Sequence, residues 1–171
     1  GHWRLVAILE NPATEVAHEN ASYRIDLVDA RGQPLSSEAG LCGLLLPGQS
    51  VPVVVERQGS GPFRPTVKVY SGGAVHSGRL PLPAASVLET TSSGIRLRVS
   101  NPYPVPLTDL QVTVLNALRS GELRVASLGG VDMDRSSDAE VTIMSDGGDQ
   151  VTSSEAFVTL TALTLRRIVA W

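Results

Sequence analysis

The segment Ile95-Arg96-Leu97-Arg98-Val99-Ser100 decides the fold class, because apolar and polar residues alternate strictly along it. A period of two is the spacing at which side chains of a β-strand share one face. The apolar residues are therefore predicted to face a core and the arginines to face water. The same alternation occurs in Tyr23–Leu27, Gln111–Val114 and Val158–Leu163.

Helix signals are nearly absent from the chain. It has 16 Gly and 11 Pro among 171 residues, and no long stretch keeps an apolar period of 3.6 residues. Arg119–Leu128 is the best helical candidate, and Gly121 and the β-branched neighbours argue against it. Val51–Glu56 is rich in β-formers, and Pro52 predicts an edge strand or a strand start, because proline cannot donate a ladder hydrogen bond. Short strands with frequent turn residues are typical of an all-β sandwich or barrel.

Three segments are predicted to be turns between strands. Asp29–Gly32 and Ser71–Gly73 contain residues that tolerate a positive φ. Asp146–Asp149 lies after a β-rich run and before the last strand, so it is predicted to be a loop or a hairpin tip.

The two halves of the chain resemble each other. Leu5–Pro12 matches Ile95–Pro102, and both are predicted strands that end in Asn-Pro, where the residue before proline is held extended. Further matched pairs, all offset by about 87 to 90 positions, are Ile25–Ala30 with Val112–Ala117, Val51–Val55 with Ala139–Ile143, and Thr66–Tyr70 with Ala156–Leu160. Between the halves, the proline-containing run 80–85 is predicted to be a stiff linker. The sequence therefore predicts two tandem immunoglobulin-like β-sandwich domains, residues 1–82 and 83–171.

Ile25-Asp26-Leu27-Val28-Asp29 is followed by Gly32 and later by Leu46-Pro47-Gly48-Gln49-Ser50. This arrangement resembles the FxLYD family of bacterial immunoglobulin-like domains, whose second strand has the pattern aromatic-x-Leu-Tyr-Asp before a turn Gly and a later Leu-x-Pro-Gly stretch. Both aromatics of the family pattern are replaced here. The second half has Asn116 in place of the Asp, so only a related sandwich is predicted for it. The resemblance implies an extracytoplasmic module without known catalysis.

Composition excludes several function classes. The formal net charge is -3 and no Lys/Arg cluster occurs, so we expect no nucleic-acid partner. The longest apolar run, Leu44–Leu46, ends at Pro47 and cannot span a membrane, so we expect no membrane contact from these residues. The opening Gly1-His2 is interpreted as a cleavage remnant, which leaves open an anchor in a longer chain. Cys42 is alone and is predicted to be a small buried apolar residue.

The catalytic candidates are few. Nucleophilic catalysis needs a Ser or Cys beside a base that a third group orients. The histidines are His2, His18, which is predicted to lie in a loop, and His76, which is predicted to lie on an outer strand face. No Gly-x-Ser-x-Gly motif occurs. We therefore predict no catalytic residues, no cofactor and no enzyme.

An acidic segment is the most specific candidate for a metal-binding site in the sequence. Asp132, Asp134 and Asp138 place three carboxylates in one loop, and calcium prefers six to eight oxygen ligands. The loop lacks the Gly and the Glu that an EF-hand spacing requires, and Arg135 partly cancels its charge. We interpret it as a solvated acidic loop, with a cation site as the weaker alternative.

These observations favour a monomeric, non-enzymatic binding or structural module outside the cytoplasmic membrane, which presents edge strands and end loops to a protein partner. The candidate contact residue is Tyr103, in the proline-rich loop Asn101–Pro106; the alternative is that its ring packs on its own domain. One rival hypothesis is an accessory domain pair of a larger enzyme or transport complex, whose active site lies outside these residues. A weaker one is an intracellular desiccation-related module.

Overall fold

The computed structural model describes residues 2–58, 63–144, 151–160 and 168. In residues 2–58, 63–144 and 151–160 the regular structure is antiparallel β-strand, which confirms the all-β class. Arg119–Leu128 contains a turn and the start of a strand rather than a helix. The chain divides into two compact units, Gly1–Arg79 and Leu80–Trp171; the sequence had suggested a boundary after residue 82.

Unit 1 contains six of the described strands: β1 (His2–Glu10), β2 (Val16–Asp29), β3 (Pro34–Leu45), β4 (Ser50–Gln58), β5 (Phe63–Tyr70) and β6 (Gly73–His76). One sheet has the order β3-β2-β5, with β6 pairing to the first residues of β2. The other sheet, as far as it is described, has the two strands β1-β4. Pro52 lies in β4, which pairs with β1 alone among the described strands, as its expected edge position requires.

Unit 2 contains the other six: β7 (Ala84–Thr90), β8 (Gly94–Ser100), β9 (Leu107–Leu118), β10 (Leu123–Met133), β11 (Asp138–Met144) and β12 (Val151–Thr159). Its sheets have the orders β11-β8-β7 and β10-β9-β12. The hairpin between β9 and β10 turns through Gly121, whose φ of 83° suits glycine.

The strand pairings of the two units correspond. β1 pairs with β4 as β8 pairs with β11, and β2 lies between β3 and β5 as β9 lies between β10 and β12. The correspondence extends to register, because Leu5 is opposite Val55 where Ile95 is opposite Ile143. One predicted match is displaced: the residue opposite Val112 is Val158, one position later than the repeat alignment requires. β7 has no counterpart among the described strands of unit 1.

Each core lies between the inward faces of two sheets. In unit 1, Ile25 and Leu27 of β2 pack in one apolar cluster with Val51, Val53 and Val55 of β4. In unit 2, alternate residues of β8 and β9 are fully buried, among them Ile95, Leu97, Val99, Val112 and Val114. The inward positions predicted for Leu27 and Val114 are therefore confirmed.

Alternation predicts that Thr113, between the inward residues Val112 and Val114, faces water, and this prediction is wrong. Thr113 is only 6% exposed, and its hydroxyl lies 3.1 Å from the hydroxyl of Ser127. Its neighbour Leu115 on the same face is also buried. β9 is thus buried on both faces along its middle, whereas alternation alone predicts that one face is exposed to solvent.

The Asn-Pro motif that ends β1 and β8 closes a corner in each unit. The Asn11 amide donates to the carbonyl oxygens of Val16, Leu45 and Leu46, and its own oxygen accepts from the backbone two residues on. Asn101 likewise donates to the carbonyl oxygens of two residues, Val105 and Asp134, and accepts from the second residue after it. Both asparagines are buried, so each satisfies backbone acceptors that would otherwise lack partners.

The predicted turns Asp29–Gly32 and Ser71–Gly73 need their glycines for different reasons. At Asp29–Gly32 the Asp29 carboxylate accepts from two backbone amides, and Gly32 has a φ of 80°, which confirms the turn. At Ser71–Gly73 neither glycine has a positive φ. Gly72 is needed for close approach instead, because a Cβ there would lie 2.7 Å from the carbonyl oxygen of Asn20. The predicted hairpin tip 146–149 lies outside the described residues.

Candidate functional site

Tyr103 does not present its ring to solvent. The side chain is 3% exposed, and its hydroxyl donates to the carbonyl oxygen of Pro81 at 2.5 Å. Burial raises the pKa of this phenol well above its usual value. The candidate contact role of Tyr103 is therefore corrected: the ring packs inside unit 2, and its hydrogen bond secures the segment that leads into β7.

The acidic segment is not one loop as predicted, since Asp132 lies in β10 and Asp138 begins β11. It has structural contacts instead of a converging set of ligands. Asp132 accepts from the backbone amide of Asp109 at 2.9 Å. Asp134 contributes its carbonyl oxygen to Asn101 and Ser137. All three predicted carboxylates, those of Asp132, Asp134 and Asp138, lie on exposed residues. Among the described residues, no group of three or more His, Cys, Asp or Glu side chains could hold a metal ion.

His18 lies in β2 and not in a loop, which corrects its predicted place. The buried residues beside it are Ala17 and Ala21, whose small side chains give only a weak strand pattern. His76 is exposed at the end of β6, as predicted.

His18 Nδ1 lies 2.8 Å from the Ser71 hydroxyl. The pair borders a shallow cavity of about 190 Å³, lined by Glu10, Asn11, Pro12, His18, Ala21, Leu45, Val69, Tyr70 and Ser71. Sequence reasoning missed this contact because the two residues are distant in the chain. A Ser–His pair resembles half of a nucleophile and base arrangement. Within the described part of the chain, no carboxylate or other acceptor bonds the second ring nitrogen of His18, so the orienting group of a triad is missing.

Cys42 is buried in the core of unit 1, as predicted. Its thiol donates to the carbonyl oxygen of Ala21 at 3.1 Å. Desolvation raises the pKa of the thiol, which lowers the fraction of reactive thiolate. Cys42 is therefore a packing residue and a poor nucleophile.

The most distinctive surface of unit 1 is an apolar strip on β5, formed by Val67 and Val69; Tyr70, the next residue, lies on the opposite face of the strand. Val67 is 38% exposed, Val69 50% and Tyr70 49%. Val67 lies opposite Ile25 on β2, and Val69 lies opposite Tyr23. Residues directly opposite in a sheet share a face, so the two valines lie on the core side of the sheet and yet remain exposed.

Unit 2 buries the corresponding positions. Phe157 and Val158 on β12 are buried, as is Leu160 directly after the strand. Val158 lies opposite Val112 as Val67 lies opposite Ile25. β7 packs against β12. In the described part of unit 1 no strand takes the place of β7, so the inward face of β5 stays open.

The chain matches no protein-family model and no curated protein. No described helix is long and apolar enough to cross a membrane. The fold and the site define an all-β protein with an exposed apolar strip on one edge strand.

Proposed function

We propose that the chain is a non-enzymatic protein-binding module and that the apolar strip of unit 1 is its contact surface. The observation that carries the proposal is the different exposure of equivalent strands. β5 leaves Val67 and Val69 open to water, while the equivalent residues of unit 2, Val158 on β12 and Leu160 directly after it, are buried. Neighbouring apolar side chains that stay exposed on the inward-facing side of a sheet are a feature of surfaces that bind other proteins.

The surroundings of the strip suit a polypeptide ligand. The cavity beside Val69 and Tyr70 is small, about 190 Å³, which fits one or two side chains better than a cofactor. Polar groups of His18 and Ser71 border it. Tyr70 offers an aromatic face with a polar tip, a combination enriched in protein interfaces.

The wider setting is part of the same proposal. The corresponding strand orders of the two units support tandem immunoglobulin-like sandwiches. The FxLYD-like residues of unit 1 favour a bacterial, extracytoplasmic module. Fold alone carries no activity, and the incomplete Ser–His pair supports a binding role over catalysis.

The proposal is tested by selecting random displayed peptides on the intact protein and measuring their affinity for three forms. These are the unaltered chain, Val69→Lys and Met144→Lys. Val69 is half exposed and Met144 is exposed in unit 2, so both lysines can reach water without disrupting a core.

We expect selected peptides to bind Val69→Lys at least about tenfold more weakly, the effect of losing one central contact. Binding to Met144→Lys should be unchanged. Equal affinity for all three forms, or no enriched peptide, would show that the strip is not a binding surface.

A further inference from the structure

We infer that the partner enters unit 1 as a single extended strand, which pairs with the edge of β1 that no described strand occupies and covers Val67 and Val69. The inference rests on the proposed function and specifies its ligand. Its basis is the strand that unit 2 has and the described part of unit 1 lacks. β7 pairs with β8 along its length and packs against β12.

The edge of β1 is chemically open to such a strand. Its equivalent, β8, pairs on both sides, with β11 and with β7. β1 pairs with β4 alone among the described strands. An unpaired edge presents a row of amide and carbonyl groups that can add a further strand.

The residues of β1 support this role independently. Leu5-Val6-Ala7-Ile8-Leu9 is apolar throughout, a pattern typical of strands covered on both faces. At the positions of Val6 and Ile8, β8 carries Arg96 and Arg98. Charged residues on a strand protect an exposed edge against unwanted pairing. β1 has no such protection along this run, and Ile8 is exposed.

The opening is one strand wide. At the two sides of unit 2, β7 packs against β12 and β11 packs against β10. In unit 1, β4 packs against β3, and no described strand takes the place of β7 over β5. A second copy could pair through its own β1, with its inward face turned to the same side. Its β2–β5 sheet would then occupy the space that β5 of the first copy already fills. The geometry therefore favours an isolated extended segment of another polypeptide over a second copy of this sandwich.

The chemistry of that segment follows from the register of β7. Ala85 and Val87 lie opposite Val99 and Leu97, so small apolar side chains are expected at the two ligand positions that cover the strip. On the other face, β7 places Ser86 and Glu89 beside the arginines of β8. A ligand of β1 would have apolar residues at the positions of Ser86 and Glu89, because β1 has Val6 and Ile8 where β8 has its two arginines.

The probe is an end-blocked, lysine-flanked peptide with the core Ala-Ala-Val-Val-Val-Thr. It copies the six residues of β7 that pair with β8, with its Ser and Glu replaced by Val. Two control peptides have the same core, with N-methyl groups on either the odd or the even residues. N-methylation removes the donor, as proline does, and alternate residues of a strand bond to opposite sides. Only one of the two controls can therefore lose its bonds to β1.

We expect the probe to slow hydrogen exchange at alternate amides of β1 and to shift the resonances of β5. One N-methylated peptide should bind more than about tenfold more weakly than the other, because several backbone hydrogen bonds are lost together. Val69→Lys should weaken all binding. Equal affinities of the two N-methylated peptides, unprotected β1 amides, or no binding of the probe would each overturn the inference. Self-association of the chain that the probe fails to reverse would place a second copy at the edge and overturn it too.

The two proposals fail in different ways. If selected peptides depend on Val69 and leave the β1 amides unprotected, the strip binds partners and strand addition is wrong. If neither the selected peptides nor the probe depends on Val69, the proposed function itself is wrong.

Discussion

Replacing Leu27 by alanine tests the inward face of β2 directly. Leu27 is 2% exposed and belongs to the apolar cluster of unit 1. Buried Leu→Ala substitutions cost about 2 to 5 kcal/mol, the lost transfer free energy plus a cavity term. Leu27 lies opposite Pro65, an exposed residue of an edge strand, so the neighbours can partly close the cavity. We therefore expect a cost near the middle of the range, about 3 kcal/mol.

The matched control is Leu41→Ala, which removes the same atoms from a residue that is 75% exposed. Little area leaves water at that position on folding, so its cost should stay within about 0.5 kcal/mol. Native-state hydrogen exchange of the β2 amides gives the free energy of unfolding for unit 1 by itself. Equal costs for the two leucines, or a larger cost for Asp26→Ala than for Leu27→Ala, would refute the assigned register of β2.

Two further predictions concern unit 1. Gly72→Ala should lower the melting temperature, because the new Cβ would lie 2.7 Å from the Asn20 carbonyl oxygen, while Gly73→Ala should have little effect because no atom lies within 4 Å of its Cβ; equal melting temperatures would contradict the close approach. Cys42 should react slowly with iodoacetamide in the native protein, because burial raises the pKa of its thiol, and rapidly in urea; fast native alkylation would mean that the thiol is accessible.

Alternation was sufficient to predict the strands that face one core. The run from Ile95 to Ser100 lies in β8, and Ile25, Leu27, Val112 and Val114 are buried as their spacing requires. In each of these short runs apolar and polar residues alternate, and there the period of two determines which side chains face the core between the two sheets.

Alternation could not indicate what lies beyond a sheet. Thr113 has a polar side chain in an alternating run, yet that face of β9 is covered. Val67 and Val69 are the opposite case, since their spacing points them inward and no described strand covers them. The extent of the facing sheet determines both outcomes, and it is not encoded in the strand's own residues.

Loop residues were the least predictable. Tyr103 lies in a proline-rich segment without periodicity, so the sequence left open whether its ring contacts a partner or packs on its own domain, and the structure shows the packing. His18 was missed as a strand residue because its buried neighbours are alanines and because Asn20, with a φ of 50°, interrupts the regular pairing of β2 with β3.

The Asn-Pro corners also bear on how the protein ages chemically. Asparagine deamidates when the nitrogen of the next residue attacks the side-chain amide, and proline has no N–H with which to form that ring. Asn11 and Asn101 are each followed by proline. Conversion to aspartate would place a carboxylate against backbone carbonyl oxygens in a buried corner. The asparagine that follows each strand is thus protected from deamidation by the proline directly after it.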